Sequence, residues 1–140
     1  MDTKVMFSSK TPEWPTPQDL FDSLNAKYQF SLDPASTDEN CKCKNHFTIE
    51  QDGLKCSWAG HSVFCNPPYG RQIGKWIQKA YDESKKPGTS VVMLLPARTD
   101  TKWFHDYCMK GTVEFLRGRL KFGDSKNAAP FPSMIVRFGC

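Results

Sequence analysis

Apolar residues recur along this chain in two rhythms. In "PTPQDLFDSLNAKY", Leu20, Phe21, Leu24 and Tyr28 fall three or four positions apart, which predicts a helix. Thr16 is the expected N-cap, Pro17 suits the first helical position and Asp19 the first turn. A second helix is predicted in "RQIGKWIQKAYDESKK", where Ile73, Trp76, Ile77, Ala80 and Tyr81 form one apolar stripe and Pro87-Gly88 stops it. A third, "DTKWFHDYCMKG", turns Trp103, Phe104 and Tyr107 inward and ends at Gly111. Shorter apolar runs predict strands: "FSL" at 30–32, "SVFC", "SVVMLLPA", "TVEFLRG" and "SMIVRF". "SVVMLLPA" is apolar on both faces, as in a central strand of a parallel sheet. "HFTIE" at 46–50 reads as a short strand before a turn at Asp52-Gly53.

Strands alternating with helices imply an open α/β sheet of the doubly wound kind, with the last two strands paired antiparallel. A length of 140 residues implies one domain over 1–140. In such sheets ligands bind beyond the carboxyl ends of the strands. Three strands here end in unusual polar peptides, "LDPAS", "CNPPYG" and "PARTD", so these are expected to meet along one edge.

Composition narrows the classes. The net charge of +4 permits a polyanionic partner without demanding one. No apolar run approaches the ~20 residues of a membrane span, and "MDTKVMFSSKTPEW" lacks the apolar centre of a signal peptide. A cytoplasmic protein is expected, with its six cysteines as thiols. "CKC" lacks zinc-knuckle spacing and His46, His61 and His105 complete no ligand pattern, so no metal is expected.

The stretch "VFCNPPYGR" carries the most specific chemistry. An exocyclic amine on a heteroaromatic base is a poor nucleophile, because its lone pair is delocalised into the ring. Two rigid acceptors for its N–H bonds would draw the nitrogen toward tetrahedral geometry and aim the lone pair. The side-chain carbonyl of Asn66 and the backbone carbonyl of Pro67 are suited to this. Pro67 and Pro68 fix φ and remove competing donors. Tyr69 is expected as an exposed ring on which a base stacks, worth roughly 1–3 kcal/mol. A base within a duplex must be flipped out to reach such a pocket.

"NPPY", taken with "WPTPQDLFDSLNAKYQFSLDPAS", "DGLKCSW", "VVMLLPARTDTKWFHD", "RGRLKF" and "APFPS", resembles the compact phage-type (Dam-like) DNA N6-adenine methyltransferases from Trp14 to Phe138. The resemblance implies a Rossmann-like methyltransferase fold, S-adenosylmethionine as donor, adenine in double-stranded DNA as acceptor, and a phage or prophage gene expressed in a bacterial cytoplasm, with protection from restriction as a role. It makes Asn66, Pro67, Pro68 and Tyr69 catalytic. It assigns Asp33, Pro34, Ala35 and Ser36 to the cofactor loop, with Asp33 at the methionine end, and Thr16 and Pro17 beside the methionine moiety. Asp52 and Glu50 are candidates for the ribose and adenine. Arg117, Arg119 and Lys121 would contact phosphate and Phe122 would cover the flipped base. Arg98 and Asp100 would sit beside the site, while Arg71, Lys75 and Lys79 read as solvated charge. The chain departs from the wider fold in having "DPAS" where a Gly-x-Gly loop is common, and little room between Ser36 and Asn66 for two strands. Two other readings are another conjugated nitrogen as acceptor (cytosine N4, an RNA base or a protein glutamine) and a non-catalytic nucleic-acid-binding relative.

Overall fold

The computed structural model describes residues 14–123 and 125–140. The stretch read above for a signal peptide therefore lies almost wholly outside the described residues. The elements are α1 (Gln18–Tyr28), β1 (Ser62–Cys65), α2 (Ile73–Ser84), β2 (Ser90–Pro96), α3 (Lys102–Asp106), β3 (Thr112–Phe115) and β4 (Ser133–Phe138), with single 3₁₀ turns at Gly53–Lys55 and Cys108–Lys110. The protein is α/β, and the four strands form one sheet in the order β1-β2-β4-β3.

Pairing in the sheet is mixed. β1 and β2 are parallel, while β2–β4 and β3–β4 are antiparallel. The expected antiparallel pair at the C-terminus is present, but two of the three strand pairs are antiparallel, so the mostly parallel sheet is not what pairs here. Reversal of β4 between β2 and β3 accounts for this. The central position expected of β2 is met: it lies between β1 and β4, and Val91, Val92, Met93, Leu94 and Leu95 are all buried.

"FSL" is displaced by one or two residues. Leu32 and Asp33 form bridge pairs with Val63 and His46, and the Ser31 and Phe64 N–H groups donate to Ser62 and Leu32 carbonyls at 2.7 and 3.0 Å. "HFTIE" is not a strand beyond His46; the Asp52 N–H donates back to the Thr48 carbonyl and the chain turns instead. The third helix is shorter than expected. It closes at Asp106, and a 3₁₀ turn carries the chain on to Gly111.

Two clusters of buried side chains lie against the sheet. α2 presents Ile73, Trp76, Ile77 and Ala80 to one together with Trp58, while α1 presents Phe21 and Leu24 to the other with Phe64 and Phe122. The "DG" turn is fixed by close packing. A Cβ on Gly53 would lie 2.1 Å from the Pro34 carbonyl oxygen and 2.9 Å from Trp76. Trp58 locks the same turn, donating from Nε1 to the Gly53 carbonyl at 2.9 Å. Its own N–H donates to Glu83 at 2.6 Å. Lys79 and Lys86 meet that carboxylate at 3.4 and 2.6 Å, so Lys79 is paired rather than merely solvated.

Candidate active site

Asn66 follows β1 directly, where the parallel strand ends and the two prolines prevent it from continuing. Its Nδ2 donates to the Trp14 carbonyl at 2.5 Å and to Thr16 Oγ1 at 3.0 Å. Its Oδ1 is buried with no partner among the described residues. An unpartnered buried acceptor costs roughly 1–3 kcal/mol, so a protein tolerates one where a ligand supplies the donor.

That oxygen belongs to a residue lining a cavity of about 790 Å³, within the roughly 300–1,000 Å³ range of small-molecule sites. Asp33, Pro34, Ala35 and Ser36 form one wall, and Asn66, Pro67 and Pro68 another. Trp14 and Thr16 enter from the arm before α1, and Thr48, Ile49, Glu50 and Asp52 from the turn after His46. Two of the three expected strand ends therefore meet. "PARTD" does not line the cavity, because Ala97 N–H turns to the Pro132 carbonyl at 2.9 Å, and Arg98 and Asp100 are exposed.

Charge is sorted in a way the net value of +4 conceals. Asp33, Asp38, Glu39, Glu50 and Asp52 line the cavity against one lysine, Lys42. Asp33 is 3 % exposed, and its carboxylate accepts from the Lys42 N–H at 2.9 Å and the Ala35 N–H at 3.4 Å. Burial is the largest influence and raises its pKa, against those hydrogen bonds and the charges of His46 and Lys42. Asp52 holds a left-handed conformation, φ 56°, and its side chain accepts from the Leu54 N–H at 3.1 Å. The Ser36 hydroxyl is also buried without a partner among the described residues.

Other sequence-derived candidates are placed differently. Thr16 does not cap α1. Pro17, with ψ 133°, is the N-cap residue and its carbonyl accepts from Phe21, which frees the Thr16 hydroxyl for Asn66. Tyr69 is not an exposed platform. It is 3 % exposed, packs edge-on to Phe131 at 5.7 Å between ring centres, and donates its hydroxyl to the Leu94 carbonyl at 3.2 Å. Phe122 is likewise buried, 5.5 Å from Trp14 and 5.8 Å from Phe131. The apolar faces of these rings are buried against one another rather than left in water. Arg117, Arg119 and Lys121 are exposed on the segment leading to Phe122. That segment is held by Gly123, whose N–H donates to the Pro15 carbonyl at 2.9 Å, and by Ala129, whose N–H donates to Leu120 at 2.8 Å.

Sequence reasoning did not single out Trp14 or Phe131. Trp14 contributes a backbone carbonyl and Phe131 an edge contact, neither of which leaves a compositional signal. Among the described residues no group of three or more His, Cys, Asp or Glu side chains is arranged to hold a metal ion. Nor is any helix among them long and apolar enough to cross a membrane.

The family model for "DNA N-6-adenine-methyltransferase (Dam)" matches residues 4–136, nearly the whole chain. The chain belongs to this family. It is thereby an adenine-specific DNA methyltransferase, the class its motifs resembled. A DNA N-6-adenine-methyltransferase of Haemophilus phage HP1 is 31% identical over 135 residues, covering 89% of this chain and 77% of the relative. Another, of Escherichia phage T1, is 33% identical over 93 residues, covering 65% of this chain and 38% of that longer protein.

Proposed function

We propose that the chain transfers a methyl group from S-adenosylmethionine to the N6 amine of adenine flipped out of double-stranded DNA. The observation that carries this reading is the buried, unpartnered Oδ1 of Asn66 on the cavity wall. Adenine N6 carries two N–H bonds, so its amine is a donor that such an oxygen can receive. The Pro67 carbonyl is the second acceptor in this reading.

The donor set suits the cofactor. Five carboxylates against one lysine favour a ligand with a sulfonium and an ammonium group. When bound, S-adenosylmethionine supplies an electrophilic methyl group. Asp33 is the residue we assign to its ammonium group, Pro34, Ala35, Ser36, Thr16 and Pro17 to the methionine end, and Asp52 with Glu50 to the ribose and adenine. With Asp33–Ser36 already walling the cavity, "DPAS" serves where a Gly-x-Gly loop is common. A compact Rossmann-like fold is the reading of the topology. β1, β2 and β3 share one direction, β4 alone is reversed, and residues 31–33 run beside β1 as a further parallel segment.

Arg117, Arg119 and Lys121 are the proposed phosphate contacts, being exposed and cationic beside the aromatic cluster. Tyr69 and Phe122 keep their proposed roles at the base only if the Trp14–Phe131–Phe122 cluster opens. The base would then take the place Phe131 holds against Tyr69. A cytoplasmic, phage-encoded enzyme that protects DNA from restriction is the accompanying biological reading.

Nucleoside mass spectrometry tests the function. The protein is incubated with unmethylated duplex DNA and S-adenosylmethionine, and the DNA is digested. N6-methyladenine is the expected product. N4-methylcytosine, or methyl label found only in RNA or protein, would move the acceptor. No product with any of them would point to a binding relative.

A further inference from the structure

The amide of Asn66 has two Nδ2 hydrogens and two acceptors for them, the Trp14 carbonyl and Thr16 Oγ1. A backbone carbonyl cannot donate, so Trp14 decides which way the amide faces. The nitrogen turns to residues 14 and 16, and Oδ1 is left as the buried unpartnered atom. A flipped amide would set two oxygens against each other and leave a donor where Oδ1 now stands. Trp14 alone fixes one hydrogen. The second, without Thr16, would lose its partner and the amide could rotate about χ2, a broad torsion with little intrinsic preference.

Thr16 is unusually free for this task. It stands before α1, 5 % exposed, and does not cap the helix, since Pro17 occupies the N-cap position without any side-chain cap. We infer that Thr16 is a positioning residue for methyl transfer: Trp14 sets which way the Asn66 amide faces, and Thr16 Oγ1 takes the second Nδ2 hydrogen and keeps the amide from rotating away from the orientation that presents Oδ1 to the target amine. This rests on the function proposed above for Asn66. It differs from a role in which Thr16 only contacts the cofactor, although Thr16 borders the same cavity. A cofactor contact would show in binding. A positioning contact shows in the rate once cofactor is saturating.

The test compares Thr16→Val, which keeps the shape and removes the acceptor, with Thr16→Ser, which keeps the hydroxyl. Three quantities are read: S-adenosylmethionine affinity by calorimetry, single-turnover methylation of duplex DNA at saturating cofactor, and solvent exchange of the Asn66 side-chain amide by ¹⁵N NMR, assigned by its loss in Asn66→Ala. In Thr16→Val cofactor affinity should fall only as far as one lost contact to the methionine end allows, and saturating cofactor removes that loss from the rate. The rate should fall roughly five- to thirtyfold, as the loss of one such hydrogen bond implies. The amide hydrogens should exchange faster, and Thr16→Ser should restore both rate and protection. An unchanged rate, a loss confined to cofactor affinity, or unchanged amide exchange would overturn the inference. If Thr16→Val does not fold, Thr16→Ala is read by the same criteria. The NMR arm needs no turnover, so a protein that keeps the amide geometry but methylates no DNA would indict the proposed function rather than the Thr16–Asn66 contact.

Discussion

Replacing Gly53 by alanine should damage the fold and the cavity together. The added Cβ would stand 2.1 Å from the Pro34 carbonyl oxygen, 3.1 Å from the Pro34 carbonyl carbon and 2.9 Å from Trp76. Reaching ordinary contact near 3.4 Å requires about 1.3 Å of movement from the Pro34 oxygen. Pro34 cannot yield cheaply, because its ring fixes φ and Asp33 beside it is tied to residues 42, 45 and 47. Trp76 is 6 % exposed and sits in the core. Overpacking of this kind costs about 1–3 kcal/mol. Reduced entropy of the unfolded chain returns roughly 0.4–1 kcal/mol of it, so the clash wins. The net cost of roughly 0.6–2 kcal/mol lowers the melting temperature by roughly 2–8 °C at this chain length. Because the displaced peptide is a wall of the cavity, S-adenosylmethionine affinity should fall with it. Gly74→Ala is the control: its Cβ would meet Trp103 at an ordinary 3.7 Å within α2, and should stabilise by up to ~1 kcal/mol. Scanning calorimetry and cofactor titration of both variants decide. Gly53→Ala melting at or above the parent temperature with unchanged cofactor binding would refute the close-packing argument.

Three further outcomes are expected. Glu83 is 4 % exposed; burial raises its pKa, but Lys86, the Trp58 N–H and Lys79 outweigh that and the net shift is downward. Its stabilisation is therefore present above the unfolded pKa and lost as pH falls through the folded one, so Glu83→Gln should cost roughly 1–3 kcal/mol at neutral pH and converge with the parent in acid melts. Asp33 has the opposite sign: its pKa is raised, so in the ligand-free protein its contribution is present below the unfolded value and lost as pH rises through the folded one. In the proposed role Asp33 meets the cofactor's ammonium group in its charged form, so affinity should rise with pH through that window, and calorimetry on Asp33→Asn should show a weak, pH-independent site. Replacing Arg117, Arg119 and Lys121 by alanine should weaken binding to all duplexes alike and flatten the salt dependence by about 0.9 for each phosphate that is no longer neutralised; an unchanged slope in a fluorescence titration would place the DNA elsewhere.

Much of the molecule is legible in the sequence where local chemistry and tertiary packing agree. α2 and β2 form where expected, because their apolar patterns match the faces they bury. The NPP turn borders a cavity together with "DPAS", as strand-end logic implies. The misplacements have identifiable causes. Thr16 has a good capping side chain, but Asn66, 50 residues away, takes its hydroxyl. Tyr69 reads as exposed because it follows a loop, yet its hydroxyl finds the Leu94 carbonyl and its ring finds Phe131. "HFTIE" has strand composition, but its backbone pairing among the described residues stops at Phe47, which bonds to Asp33 and Ser36, and Ile49 is left 91 % exposed. Mixed pairing in the sheet depends on where β4 inserts, which no local pattern encodes.

The central claim is that Asn66 Oδ1 receives the target amine. Its most direct test is single-turnover methylation of duplex DNA by Asn66→Ala at saturating S-adenosylmethionine, with cofactor affinity measured on the same preparation. The account predicts near-parental cofactor affinity and a rate lower by about a hundredfold or more, the scale on which removing one preorganised hydrogen bond at a reacting group slows an enzyme. A rate within a few-fold of the parent, in a folded variant that still binds cofactor, would contradict it.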